Sequence, residues 1–137
     1  MELIRMEKIT KIYPGTTALS AVDFTLHEQE IVSLLGENGA GKTTLMKILY
    51  GMTPQSSGEI FYRGEPIRFR KPVDAIEKGI CMVHQHFMLV DSLTGAENMM
   101  LGLEKTGFVS NKKRDILITD EVAKKYNFEI DASRRVR

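Results

Sequence analysis

The amino-acid sequence predicts an α/β fold in which a buried strand leads through a glycine-rich loop into a helix. Residues 30–35, EIVSLL, form a short apolar run with the length of a buried strand. Residues 36–44, GENGAGKTT, follow directly and contain three glycines. The apolar residues beyond them recur at spacings of three and four, which predicts a helix with one packed face. These residues are Leu45, Ile48, Leu49 and Met52.

Strand patterns flank this central unit on both sides. Residues 2–13 and 18–30 alternate in character, which predicts two antiparallel strands that lead into the strand at 30–35. After the helix, turn signals at 57–58 and 63–64 bracket two more short strands. We therefore expect a β-rich lobe beside the glycine loop.

The remaining chain predicts one more buried strand and then helices. Pro72 opens a helix that Gly79 ends, and residues 80–85, ICMVHQ, have the composition of a buried strand. Cys81 in that run is expected to be a small buried hydrophobe, because one cysteine cannot form an internal disulfide.

Helical signals begin after residue 91. Thr94 stands three residues before Glu97, as in a capping box, and a longer helix is predicted from about Asn111. A spacing of four gives that helix a packed stripe formed by Ile118, Val122 and Tyr126. We expect two parts: residues 1–91 as a β-lobe with a partial nucleotide-binding core, and residues 92–137 as a partial helical subdomain.

The glycine loop has the pattern G-x-x-x-x-G-K-[ST], formed by Gly36, Gly41, Lys42 and Thr43. Glycine allows successive backbone N–H groups to point into one concavity, and a helix N-terminus adds attraction for phosphate. A flexible turn before an ordinary helix, with a solvated lysine, is the alternative. The strand before and the helix after favour a P-loop that binds a nucleoside triphosphate.

In this interpretation each loop residue has a role. Lys42 reaches the β- and γ-phosphates, and Thr43 places its hydroxyl on Mg²⁺. Other residues of the loop cradle the remaining phosphate oxygens: Asn38, Gly39, Ala40, Gly41 and Thr44.

Composition limits the classes of function. The 137 residues carry 19 basic and 18 acidic side chains, a net charge of +1, which argues against a nucleic-acid partner. No stretch approaches the roughly 18 continuous apolar residues of a membrane span, and the first residues lack the apolar core of a signal peptide. We therefore expect any link to a membrane to come through a partner protein.

Four segments in order resemble the ATP-binding subunit of an ABC transporter, from Leu3 to Gly102. KIYPGTTAL is similar to the family's aromatic loop, and GENGAGKTT to its Walker A motif. SSGEIFYRGEPI is similar to the hairpin that follows, and MVHQHFMLVDSLTGAEN to the glutamine loop. The phrasing around the glutamine most resembles importers of simple sugars and nucleosides. The resemblance implies an ABC ATPase-like P-loop NTPase: an incomplete core sheet, an antiparallel β-lobe and the start of a helical subdomain.

The resemblance assigns roles to two residues outside the loop. Tyr13 would stack on the adenine of ATP, although a tyrosine packed against its own sheet is the alternative. Gln85 would sense Mg²⁺ or the attacking water and so join Lys42 in catalysis, although a solvated loop amide is the alternative. His84 and His86 flank it, but residues two apart on an extended segment face opposite sides, which disfavours a metal site there.

The resemblance also implies partners. The apolar run Phe87 to Val90 would contact a membrane permease subunit, with burial in the chain's own core as an equal alternative. A second ATPase domain and, indirectly, an extracytoplasmic solute-binding protein would complete the importer, with no nucleic acid involved. The subunit would lie peripherally on the cytoplasmic face of the cell membrane.

The family's signature motif, catalytic glutamate and switch histidine match no segment, so we expect an N-terminal portion of a longer ATPase subunit. Hydrolysis in the family occurs between two domains, which implies that this portion binds nucleotide at most. Apolar surface should be exposed where further parallel strands would pack. Three other functions stay open: a soluble ABC-type ATPase acting on ribosomes or DNA, a P-loop kinase of small molecules, and a binding module without catalysis.

Overall fold

The computed structural model describes residues 1–84, 89–101 and 111–136. The chain divides into two compact units, Met1–Val83 and His84–Arg137. None of the helices in these ranges combines the length and apolar character needed to cross a bilayer.

The first unit contains a four-stranded antiparallel sheet with strand order β2-β1-β3-β4. Its strands are β1 (Glu2–Tyr13), β2 (Thr16–His27), β3 (Ser57–Tyr62) and β4 (Glu65–Ile67). Arg63 and Gly64 join β3 to β4 with φ values of 52° and 82°, as a two-residue hairpin turn requires. The predicted antiparallel lobe is therefore confirmed.

The long hairpin of β1 and β2 is interrupted by register shifts. Lys8 and Ala21 have positive φ there, and side chains accept hydrogen bonds from both of their backbone N–H groups. Asp23 Oδ1 lies 2.7 Å from Lys8 N, and Thr10 Oγ1 lies 3.0 Å from Ala21 N. These bonds satisfy the backbone where the ladder is broken.

Helix α1 (Lys42–Leu49) packs one face into the core of the first unit. Leu45, Ile48 and Leu49 are buried, as the spacing predicted, together with Ile4 and other side chains from the sheet. The prediction was wrong for Met52, which is exposed, because the helix ends at Leu49 and the chain has already turned away. Helix α2 (Pro72–Glu77) begins at the predicted proline, and Gly79 follows it with a φ of 79°.

Two predicted strands do not form. The structure has no strand at residues 30–35 or at residues 80–84, the described part of the second run. Ile31 is 97% exposed, Leu35 is 92% exposed and Val83 is 89% exposed. A strand of a parallel sheet is held and buried by neighbouring strands, and the sheet of the described residues does not include these two segments. Cys81 is exposed for the same reason, which contradicts its predicted burial.

The second unit contains helices α3 (Gly95–Met100) and α4 (Lys112–Lys125), which pack against each other. Both begin where their capping signals predicted, after Thr94 and Asn111.

The buried stripe of α4 differs from the predicted one. It consists of Asp115, Thr119 and Ala123, whereas Tyr126 is exposed. The predicted spacing of four is present, but the buried stripe begins at Asp115, and Ile118 and Val122 of the predicted stripe are half-buried. The buried residue of α3 is Ala96. Small residues on facing helices allow a close approach, which explains the difference.

Candidate phosphate-binding site

The glycine loop is shaped by two residues with left-handed backbone, Gly39 at a φ of 91° and Gly41 at 87°. Gly41 is the N-cap of α1 and lies directly against β2. A Cβ atom there would stand 2.6 Å from both the Ala18 carbonyl oxygen and Leu19 Cδ2. Only glycine fits this backbone conformation and this close approach.

Lys42, the first residue of α1, folds its side chain back over the loop. Its Nζ donates hydrogen bonds to the carbonyl oxygens of Gly36 at 2.7 Å and Glu37 at 2.8 Å. Because an ammonium has three N–H donors, it can serve one further acceptor without breaking either bond. The positive charge is thus held at the loop by the loop's own backbone.

A cavity of about 200 Å³ lies beside the loop at the beginning of α1. Its lining consists of Ala18, Asn38, Gly39, Ala40, Gly41, Lys42, Thr43 and Thr44. The N-cap of α1 makes no side-chain hydrogen bond, and the first N–H groups of a helix have no acceptor within the helix. The cavity therefore combines backbone donors, a helix N-terminus and one ammonium, which suits an anion.

The predicted site residues divide into three groups. Every predicted loop residue from Asn38 to Thr44 lines the cavity. Tyr13, which is 38% exposed, ends β1 and pairs with Thr16 two residues before the cavity-lining Ala18. Gln85 lies outside the described residues.

The surroundings of the glutamine are described only in part. Phe87 and Met88 of the predicted partner surface also lie outside the described residues, whereas Leu89 and Val90 are exposed. Within the described ranges, no three His, Cys, Asp or Glu side chains lie close enough to hold a metal ion.

Sequence reasoning missed the contribution of β2 to the site. Ala18 lines the cavity, and Leu19 packs where Gly41 lacks a side chain. Ala18 and Leu19 come shortly after the segment KIYPG, which contains the predicted adenine-stacking residue Tyr13. This closeness in the sequence is the signal that could have connected them to the site.

The carboxyl groups with shifted titration lie outside this lining. Hydrogen bonds hold the pKa of three carboxyl groups below its usual value. The main donor is the backbone of His27 for Glu30 and the backbone of Thr94 for Glu97. For Asp131 it is the side chain of Ser133. The cavity lining itself contains no carboxylate, so nothing in it repels a phosphate.

Comparison with known proteins identifies the class to which this fold and loop belong. The profile of the ABC transporter family matches residues 19–137. The chain belongs to the ABC transporter family, as its motifs predicted.

The curated relatives are import proteins. The chain is 57% identical over 99 residues to the glucose import ATP-binding protein TsgD13 of Haloferax volcanii, covering 72% of this chain and 18% of that protein. It is 43% identical over 130 residues to the guanosine import ATP-binding protein NupO of Bacillus subtilis, covering 93% and 25%. The chain thus spans a quarter or less of the length of these relatives.

Solved structures of ATP-binding cassettes share the fold. One structure of the cassette MJ1267 superposes with a TM-score of 0.79 at 20% identity, over 98% of this chain and 58% of that one. The cassette MJ0796, in a dimeric post-hydrolysis state with ADP and Pi, superposes with a TM-score of 0.72 at 27% identity, over 97% and 61%. The fold is therefore that of an ABC ATPase cassette.

Proposed function

We propose that this chain is the nucleotide-binding part of an ABC importer's ATPase subunit, in which ATP drives uptake of a nucleoside or simple sugar. The observation that carries the proposal is the cavity at the N-terminus of α1, with the Lys42 ammonium held beside it. The names of the relatives support the importer class, and they do not favour a ribosome- or DNA-directed ATPase or a small-molecule kinase.

The residues that line the cavity beside α1 would bind the phosphates, which their shared lining supports. Lys42 would contact the β- and γ-phosphates, while Thr44 and the backbone of residues 38–41 would donate to the other oxygens. Tyr13 would stack on the adenine. The absence of a carboxylate from the lining supports a polyanionic ligand.

Mg²⁺ is the cation that the family and a bound triphosphate imply. Thr43 lines the cavity, and its hydroxyl is an oxygen ligand of the kind that this hard cation prefers, so the residues fit. Gln85 would supply its amide oxygen to the same cation and orient the attacking water. When bound, the cation neutralises charge on the phosphates.

The partners would be those of an importer. The run Phe87 to Val90 would contact the membrane permease, which the exposure of Leu89 and Val90 supports. A second ATPase domain would complete the hydrolytic site, and a solute-binding protein would act indirectly through the permease. The subunit would lie on the cytoplasmic face of the membrane, without nucleic acid, and these 137 residues alone would bind ATP without appreciable turnover.

Calorimetry with Mg-ATP tests the proposal. Charge-assisted hydrogen bonds contribute about 1.5–3 kcal/mol each, so Lys42→Met should weaken binding by about 10- to 100-fold. Lys47→Met changes an exposed lysine on the same helix and should leave the affinity unchanged.

The unfolding midpoint of each variant is measured in parallel, because Lys42 also bonds to the loop. A wild-type chain that shows no saturation at millimolar Mg-ATP would overturn the proposal. Equal affinities for wild type and Lys42→Met would overturn the role of the loop.

A further inference from the structure

The end of β1 that carries Tyr13 is tied to the segment that follows α1. Lys11 Nζ donates to the Pro54 carbonyl oxygen at 2.7 Å, and Ile12 N donates to Ser56 Oγ at 3.0 Å. The backbone N–H of Ser56 donates to the Thr10 carbonyl oxygen at 2.8 Å. The aromatic end of the strand is thus fixed to the polypeptide that leaves the helix of the phosphate-binding loop.

Lys11 also contacts the tyrosine ring. Residues two apart on a strand share a face, and Lys11 Nζ lies 5.0 Å from the centroid of the Tyr13 ring. One ammonium therefore makes a cation–π contact with the ring and a hydrogen bond to Pro54. Tyr13 is the last residue of β1, directly before the turn at Pro14 and Gly15, and it is partly exposed.

A cation over one face of an aromatic ring has a consequence for the other face. The ammonium attracts π-electron density towards itself, so the opposite face becomes a better partner for an electron-rich ring such as a purine. At the same time the cation restricts the ring to one orientation, which reduces the entropy lost when a base stacks on it.

We propose that Lys11 is a positioning residue for the purine base of the bound nucleotide, acting through the Tyr13 ring. This inference rests on the proposed function. It goes further, because it assigns base affinity to a side chain that touches neither phosphate nor base, while the loop around Lys42 provides the phosphate affinity.

The test compares Mg-ATP with inorganic tripolyphosphate and Mg²⁺, which presents phosphates without a base. Lys11→Met should weaken Mg-ATP binding by about two- to fivefold and leave tripolyphosphate binding unchanged. Lys11→Arg should restore Mg-ATP affinity, because a guanidinium also binds an aromatic face. In the Tyr13→Ala background, Lys11→Met should have no further effect, because the ring that transmits its influence is gone.

Lys78→Met is the matched control, since Lys78 Nζ lies 6.0 Å from the ring of another tyrosine, Tyr62. It should change the affinity for neither ligand. Equal weakening of Mg-ATP and tripolyphosphate by Lys11→Met, an unchanged Mg-ATP affinity, or a full effect in the Tyr13→Ala background would each overturn the inference.

The ring protons of Tyr13 provide a readout without nucleotide. Their NMR shifts should move in Lys11→Met and return towards wild type in Lys11→Arg. Unmoved shifts would overturn the inference even in a chain that binds ATP. A wild-type chain that binds neither ligand would instead show that the proposed function itself is wrong.

Discussion

At the scale of single residues, Gly41 and Lys42 are neighbours in the sequence but have different structural roles. Gly41 allows the loop to approach Ala18 and Leu19 of β2, whereas Lys42 connects the loop's own carbonyls through its ammonium. The G-x-x-x-x-G-K-[ST] pattern predicted every loop residue that lines the cavity, because the pattern is local. Ala18 was missed because it comes from a strand in another part of the sequence, and no local pattern specifies that contact.

Gly41→Ala should destabilise the first unit. The new methyl group would meet two atoms of β2 at 2.6 Å, in addition to the strain of positive φ. We expect a loss of about 2–5 kcal/mol in the free energy of unfolding, the sum of overpacking and left-handed backbone strain. Urea denaturation followed by circular dichroism measures it.

Gly39→Ala is the matched control, because Gly39 has a similar φ of 91° but open space where its Cβ would lie. It should cost only about 1 kcal/mol, from the backbone alone. Equal losses in the two variants would show that the contact with β2 does not matter.

Elements formed as predicted where their signals are local. Thr94 and Asn111 cap α3 and α4 with their own side chains, and Arg63 and Gly64 supply the turn conformation that joins β3 to β4. Residues 30–35 were wrongly predicted as a strand because pairing depends on distant neighbours. The buried face of α4 was also misassigned, since packing against α3 decides it.

The cap of α3 predicts a dependence of stability on pH. Glu97 Oε2 accepts hydrogen bonds from Thr94 N at 2.8 Å and Thr94 Oγ1 at 3.0 Å, and the backbone bond is the main cause of its lowered pKa. Because the folded pKa lies below the usual value of 4.5, the stabilisation is complete above that value and is lost as the pH falls through the folded pKa. The protection of the α3 amides against hydrogen exchange, corrected for the intrinsic rate at each pH, should therefore fall as the pH is lowered from 6 to below 4.5.

Glu97→Gln should remove this acid dependence, because an amide does not titrate. Glu121→Gln, a change at an exposed position of α4, should keep it. An acid response that survives in Glu97→Gln would assign the effect to another group.

At the scale of the whole molecule, the first unit exposes apolar residues. Ile31 and Leu35 are almost fully exposed, whereas Leu34 between them packs partly against the core. Exposed apolar surface was expected where further parallel strands would pack, whereas the run at 30–35 was itself predicted to be a buried strand. The proposed division of the domains after residue 91 remains a prediction.

The exposed apolar surface predicts self-association. The average mass from light scattering should rise above 15.5 kDa as the concentration increases, because contact between chains removes these side chains from water. The double variant Ile31→Ser, Leu35→Ser should bring the mass back towards that of one chain.

Leu117→Ser removes a single exposed leucine from α4 and serves as the control. It should leave the association unchanged. A double variant that associates as strongly as wild type would exclude these two residues as the cause.

The two bonds from Lys42 to the carbonyls of Gly36 and Glu37 close the loop with the same charged group that a triphosphate would attract. Because the ammonium has three N–H groups, one remains for an arriving anion while both loop bonds stay in place. The side chain is thus already ordered before the ligand arrives, and loosening the hold of the loop on it should weaken binding although no contact to the ligand is removed.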